Sequence, residues 1–261
     1  MWERVEGLLP EYVNLHPFGG GRPRVPDRIA FNAVFFVLRT GCQWKALNSA
    51  GFCSPSTAHS RFQEWAGQGL FLRMWQAGLY EYDELKGIDW KWQSMDGALT
   101  KAPLGGDITG PNPTDRAKGG TKRNLHTDGR GIPLGIVVAG ANINDFKLAR
   151  QTLKSTAIGT PTPTRRSPQG MCLDKGFDFN EIRGLLDEFG FAAHIRCRGE
   201  EAKAVEAGQR ARRWVVERTH SWLNRFRRVL IRWEKKPENY LAMLHFACAQ
   251  ITFQQAGGLF G

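Results

Sequence analysis

Asp96 and Asp174 stand in the same local setting. Each follows a short apolar run, WQSM before Asp96 and MCL before Asp174, and a glycine follows within two residues. The pattern predicts a carboxylate at the end of a central strand, where the chain turns out of the sheet. Two such strands side by side would bring two like charges within reach of each other, and charges held that close need a cation. Hard oxygen ligands at an open site suit Mg²⁺ or Mn²⁺ rather than zinc. Taken singly, each acid reads equally well as a turn or cap residue.

A third acid belongs to a basic segment, QRARRWVVERTHSWLNRFRRVLIRW. At 100° per residue, Val215, Thr219, Trp222, Phe226, Val229 and Trp233 form an apolar stripe. Glu217 points roughly the other way, with Arg210, Arg213, Ser221, Asn224 and Arg228. From Ala207 to Lys236 there are ten Lys/Arg and two acids, Glu217 and Glu234. A carboxylate inside an arginine face weakens a purely phosphate-binding surface, but it suits a metal held beside a bound backbone. The plain alternative is an ion pair from Arg213 to Glu217 at i,i+4. Three carboxylates, a sheet and a basic helix together point to metal-assisted phosphoryl transfer. Such sites hold two cations about 3.5–4 Å apart, and arginines position the phosphates.

The elements that must position these acids fall into two regions. Residues 1–86 read as a small helical DNA-binding domain resembling a helix-turn-helix module. The segment GGGRPRVP offers Arg22 and Arg24 to phosphates. Asp27 should cap a helix through Arg39 with Ile29, Ala33, Phe36 and Val37 on one face. Ser54-Pro55 starts a second helix with Ala58, Phe62 and Trp65 inward and His59, Ser60, Arg61 and Gln63 outward. A further helix spans Leu70–Tyr82. Residues 87–261 read as the catalytic domain. It has a strand ending at Asp96, a mobile Gly/Pro-rich stretch over 103–120, and two strands around Asp128-Gly129. A helix follows over Asn142–Lys154, then a strand ending at Asp174. Phe177–Phe189 is helical and FAAHIRC is a strand. One long basic helix should run from Val205 to Lys235, and Asn239–Gln254 is a last apolar helix. This order gives an α/β fold, a mixed sheet flanked by helices.

The net charge of +11 favours a polyanionic partner. Nearly all of the excess lies beyond residue 88, so the larger region should itself grip it. Lys122, Arg123 and Lys175 are further candidate contacts by adjacency. Trp90 and Trp92 could stack on bases, and His126, His194 and His220 read as hydrogen-bonded structural residues. The five cysteines show no CxxC spacing, which fits buried thiols in a reducing cytoplasm. No run approaches a membrane span, the N-terminus does not read as a signal peptide, and no GxxxxGK[ST] motif indicates ATP use.

With these motifs in view, the chain resembles the IS5 family of bacterial insertion-sequence transposases, of the DDE group with an RNase H-like core. MDGAL, LDKGFD and RWVVERTHSWLNRFRR are similar to the segments bearing the family's two Asp and its Glu. GTKRNLHTDGRGIPLGIVVAGANINDFKLA is similar to the strands and helix after the first Asp, and residues 22–75 look like its N-terminal helical domain. The resemblance implies Asp96, Asp174 and Glu217 as metal ligands and catalytic residues, and Arg213 as a contact to phosphate near the cut. Where related signatures carry Tyr and Lys, this chain has Arg210 and Asn224, so Arg210 or Arg225 would take over the phosphate. It further implies cleavage of terminal repeats to free 3′-OH ends, joining to target DNA, and a homodimer or higher assembly on double-stranded DNA at the bacterial nucleoid. Two alternatives are a catalytically inactive, transposase-derived repressor and an RNase H-like nuclease that cuts without joining.

Overall fold

The computed structural model describes residues 2–14, 23–195 and 214–257. A mixed sheet of six strands runs in the order β4-β3-β1-β5-β6: β1 Trp92–Lys101, β3 Gly119–Asp128, β4 Pro133–Gly140, β5 Gln169–Leu173 and β6 Phe191–Ile195, with the short β2 Gly110–Pro111 on the far end of β3. β1, β3 and β4 form an antiparallel meander, whereas β5 and β6 run parallel to β1. The turn at Asp128 closes because its carboxylate accepts the backbone N–H groups of Arg130 (2.9 Å) and Ile132 (2.8 Å).

Helices cover both faces. On one, α5 Asp145–Lys154 and α6 Asn180–Glu188 pack over Met95, Met171 and Leu173. The other face, through Leu125 and Ile136, joins a larger core that contains the N-terminal helices α2 Asp27–Thr40, α3 Pro55–Gly67 and α4 Leu70–Lys86. α1, Trp2–Val5, sends Val5 into it. The last helix, α9 Pro237–Gly257, is apolar around its circumference and is correspondingly buried, chiefly against α4. Residues on either side of position 86 therefore share one core.

Several expectations need correction. Asp27 does not cap α2; it is the first helical residue, and its carboxylate pairs with Arg61 and Arg24. The buried face of α2 is Ala30, Phe31, Ala33, Val34, Val37 and Leu38, which leaves Ile29 exposed and Phe36 half-buried. β1 does not end at Asp96 but continues to Lys101, because the long β3 pairs with it throughout.

The long basic helix is broken. Its described part is α7 Trp214–Asn224, then an extended Phe226, then a single turn α8 Arg227–Leu230. The break turns Phe226 and Val229 into the core, and Trp233 is left 37% exposed instead of joining an apolar stripe. Buried Arg123 holds the two sides together: it donates to the Asn224 side-chain oxygen and, at 3.2 Å, to the Val229 carbonyl, which also accepts the Tyr240 hydroxyl at 2.9 Å. The stretch over 103–120 is pinned as well. Fully buried Arg232 donates to the carbonyls of Asp107 (2.6 Å), Ile108 (3.0 Å) and Lys235 (3.0 Å) and to Thr121 Oγ1 (2.7 Å).

The chain crosses itself at Gly41, whose φ of +69° ends α2. A Cβ there would lie 2.8 Å from Arg227 Cβ, against backbone that cannot swing aside. Gly51 has a similar φ of +74° but open space around it. Gly51→Ala should cost about 1 kcal/mol for the left-handed backbone alone, and Gly41→Ala roughly 1–3 kcal/mol more for the overlap. Denaturant titration of the two variants separates the terms; equal losses would show that the α2–α8 crossing is not close-packed.

Candidate active site

β1 and β5 pair in parallel as far as Ser94 opposite Cys172. Continuing that register by two residues sets Asp96 opposite Asp174. Met95, Met171 and Leu173 face α5 and α6, so alternation turns Asp96 and Asp174 to the opposite face, the one on which α7 packs. β5 ends at Leu173, and there Asp174 begins a 3₁₀ turn, Lys175–Phe177, by accepting the Gly176 N–H at 2.7 Å. Glu217 lies in the first described turn of α7 and is exposed, while its neighbours Val215, Val216, Thr219 and His220 are buried. All three acids thus share one face of the sheet. Among the described residues, no three His, Cys, Asp or Glu side chains form a ready-made metal cage.

Electrostatics ties the acids together. Burial pushes the Asp96 carboxyl up to about 7; the negative charges of Asp174, Asp145 and Glu217 push the same way, against a hydrogen bond from the Gly97 backbone. An anionic Asp96 is therefore costly here, and a cation among these acids would relieve the cost.

Two residues set the spacing around Asp96. His220, one turn after Glu217, donates from Nε2 to the Asp96 carbonyl at 3.3 Å and so fastens α7 to β1. Burial, with Arg123 nearby, pushes its pKa down to about 3, which keeps the ring neutral. Asp145 was not foreseen. Its carboxylate lies over Gly97, where a Cβ would come within 1.9 Å of Oδ1, and it pairs with Lys122 at 3.0 Å. The available signal was a glycine beside the strand acid together with an acid opening the helix after the meander.

The candidate DNA contacts divide by burial. Arg225, Lys175 and His59 are exposed. Arg225 shares a hollow of about 630 Å³ with Arg39, a cation the sequence reading passed over. Lys122, Arg123, Arg61 and Arg228 are instead internal, each bound to protein groups. Lys122 also donates to the Ile143 carbonyl at 2.6 Å, and Arg228 meets Glu234 at 2.5 Å and the Cys42 carbonyl at 3.0 Å. Half-buried Arg24 makes two bonds to Glu64, of 2.8 and 3.0 Å. These five side chains are held by protein partners, which corrects their placement on an outer surface. Asn224 likewise turns its side chain to Arg123. Arg22, Arg210 and Arg213 lie outside the described residues, as does Cys197. His126 is buried against Gln93 at 2.8 Å, and Trp92 packs on His194 with ring centres 4.7 Å apart.

Because the folded-state pKa of Asp96 is raised, stability is highest while the carboxyl is neutral and falls as pH climbs from the ordinary carboxylate range through about 7. In EDTA, Asp96→Asn should therefore stabilise the protein more at pH 8 than at pH 5, by on the order of 2–3 kcal/mol, because about two of the roughly three pH units over which the penalty develops lie between those values. Thermal melts at the two pH values check this, and a gain independent of pH would contradict the burial of the charge.

Residues 92–251 match the family described as a transposase DDE domain, and residues 1–75 match the family of assigned transposases of IS4/5 type. A protein assigned as the transposase for insertion sequence element IS402 of Burkholderia cepacia is 37% identical over 152 residues, which is 56% of this chain and 68% of that protein. An uncharacterised 16.2 kDa protein of the same element is 28% identical over 114 residues, 43% of this chain and 78% of the relative. Among solved structures, the Mos1 mariner paired-end complex with Mn aligns at a TM-score of 0.30 and 12% identity, over 93% of this chain and 82% of that one. The chain belongs to the DDE transposases of insertion sequences, enzymes that cut DNA and transfer its strands.

Proposed function

We propose that this transposase binds the terminal inverted repeats of its element as double-stranded DNA, cuts to free 3′-OH ends, and joins those ends to target DNA by Mg²⁺-dependent transesterification. The observation that carries the reading is the shared sheet face of Asp96, Asp174 and Glu217, with Asp96 pushed up to about 7 among negative charges. Those three acids would hold the divalent cations, Mg²⁺ with Mn²⁺ as substitute and two per site. When bound, the cations supply activation of the attacking oxygen and stabilisation of the leaving one.

The chain's own residues then have distinct tasks. Asp96 and Asp174 offer carboxylate oxygens from adjacent strands, and Glu217 closes the set from α7. His220 keeps α7 in register with β1, so that Glu217 and Asp96 approach as a fixed pair. Exposed Arg225 and Lys175, with Arg210 and Arg213, position backbone phosphates for in-line attack. The protein acts as a dimer or higher assembly that pairs two DNA ends, at the nucleoid in the cytoplasm. No helix among the described residues is long and apolar enough to cross a membrane.

Asp96→Asn, Asp174→Asn and Glu217→Gln should each lower cleavage and strand transfer by at least about 10³-fold, the equivalent of several kcal/mol of lost charge stabilisation, and leave DNA binding intact. End-labelled repeat DNA with Mg²⁺, and precut ends for the joining step, test this. Wild-type protein that binds without cutting under either metal would be a repressor, and one that cuts without joining a nuclease.

A further inference from the structure

Strand β3 sets Leu125 opposite Asp96 and Arg123 opposite Ala98. Paired residues share a side of the sheet, so Arg123 stands diagonally beside Asp96 on the face that α7 crosses. Its guanidinium is 2% exposed. Among the described residues it has no acid partner, and its Nε–H has no acceptor. A buried cation without a counter-charge is costly. What Arg123 does hold is the far end of α7: the side-chain oxygen of half-buried Asn224 and, beyond the break, the Val229 carbonyl at 3.2 Å.

We propose that Arg123, through Asn224, is a positioning residue of the cutting and joining reaction, an inference that rests on the metal-site reading above. The other polar moorings of α7 fall within three consecutive residues. Arg218 donates to the Arg130 carbonyl at 2.5 Å, Thr219 Oγ1 to the Gly131 carbonyl at 2.6 Å, and His220 to the Asp96 carbonyl at 3.3 Å. Bonds so close together act as one pivot. Glu217 lies three residues to one side of His220 and Asn224 four residues to the other, roughly 4.5 and 6 Å at about 1.5 Å per residue. A swing of about 2 Å at the Asn224 end would therefore carry Glu217 about 1.5 Å the other way, beyond the roughly 0.5 Å within which a reacting site must be held. Arg123 fixes that end. Lysine could not replace it, because its donors radiate from one atom and the two acceptors stand on either side of the helix break.

The test uses full-length protein and reads metal uptake as well as turnover. Electron paramagnetic resonance of free Mn²⁺ gives the metal affinity, and end-labelled repeat DNA with Mg²⁺ gives kcat and KM. Asn224→Ala should weaken Mn²⁺ binding about tenfold and lower kcat about 10²-fold, with KM for DNA unchanged and melting curves showing a folded chain. Asn224→Asp keeps an acceptor for the guanidinium and should bring the Mn²⁺ affinity back to within about threefold of wild type. Arg123→Lys keeps the charge but not the fork, and should fall with the alanine variant. Wild-type Mn²⁺ affinity and kcat in both Asn224→Ala and Arg123→Lys would overturn the positioning role and leave the metal-site reading standing. A loss that Asn224→Asp fails to restore, or one carried wholly by KM, overturns it too. A wild-type chain that takes up no Mn²⁺, or whose uptake survives Asp96→Asn, brings down the metal-site reading and this inference with it.

Discussion

Burial of the Asp96 carboxyl beside other acids is the constraint around which this site is arranged. Strand β5 pairs with β1 as far as Cys172 opposite Ser94, and Asp174 and Asp96 each follow two residues on. Glu217 comes to the same sheet face on α7, and Asp145 presses against Gly97 from the face covered by α5. An arrangement that pushes one of its own acids up to about 7 is unfavourable for the empty fold. It persists because the surrounding elements are fixed by other means: the β1–β3 ladder, the His220 bond to the Asp96 carbonyl, and the two apolar layers. Stability is given up at the site and supplied by the scaffold.

The second theme is where the positive charge goes. A net charge of +11 suggests a uniformly cationic surface. Yet Arg123 and Arg232 are among the largest fully buried side chains, and each serves as a junction between segments far apart in sequence. A guanidinium with five donors can bind several carbonyls at once, which lysine cannot do with the same planar reach. Arg123 bridges the broken ends of the basic segment, and Arg232 ties the loop after β1 to the approach of α9. Among the exposed cations, Arg39, Arg225, Arg227, Lys175, Lys235 and Lys236 lie on loops and helix ends.

Much of the frame was legible from periodicity and turn chemistry. The Ser54 cap, the meander around Asp128, α5 and the apolar α9 all follow from local signals. The strand acids could be picked out because an acid after an apolar run is a local pattern. The failures were non-local. Helical periodicity continues straight through Arg225 and Phe226, so nothing in the segment itself announces the break; it is imposed by Arg123 and by the crossing at Gly41. Arg61 and Arg228 looked outward on a helical wheel and Lys122 was picked out by adjacency, but neither signal knows that an acid from elsewhere in the fold waits beside the cation. Asp145 was missed for the same reason.

The shared core has a consequence for the order of synthesis. Phe31 and Phe71 of the first helices pack on Phe246 of the last one, at ring-centre distances of 5.2 and 5.0 Å. A ribosome releases α2 and α4 long before α9 exists, so the N-terminal helices wait with part of their apolar faces uncovered until α9 emerges. A chain interrupted before α9 therefore lacks the packing partner of its N-terminal helices.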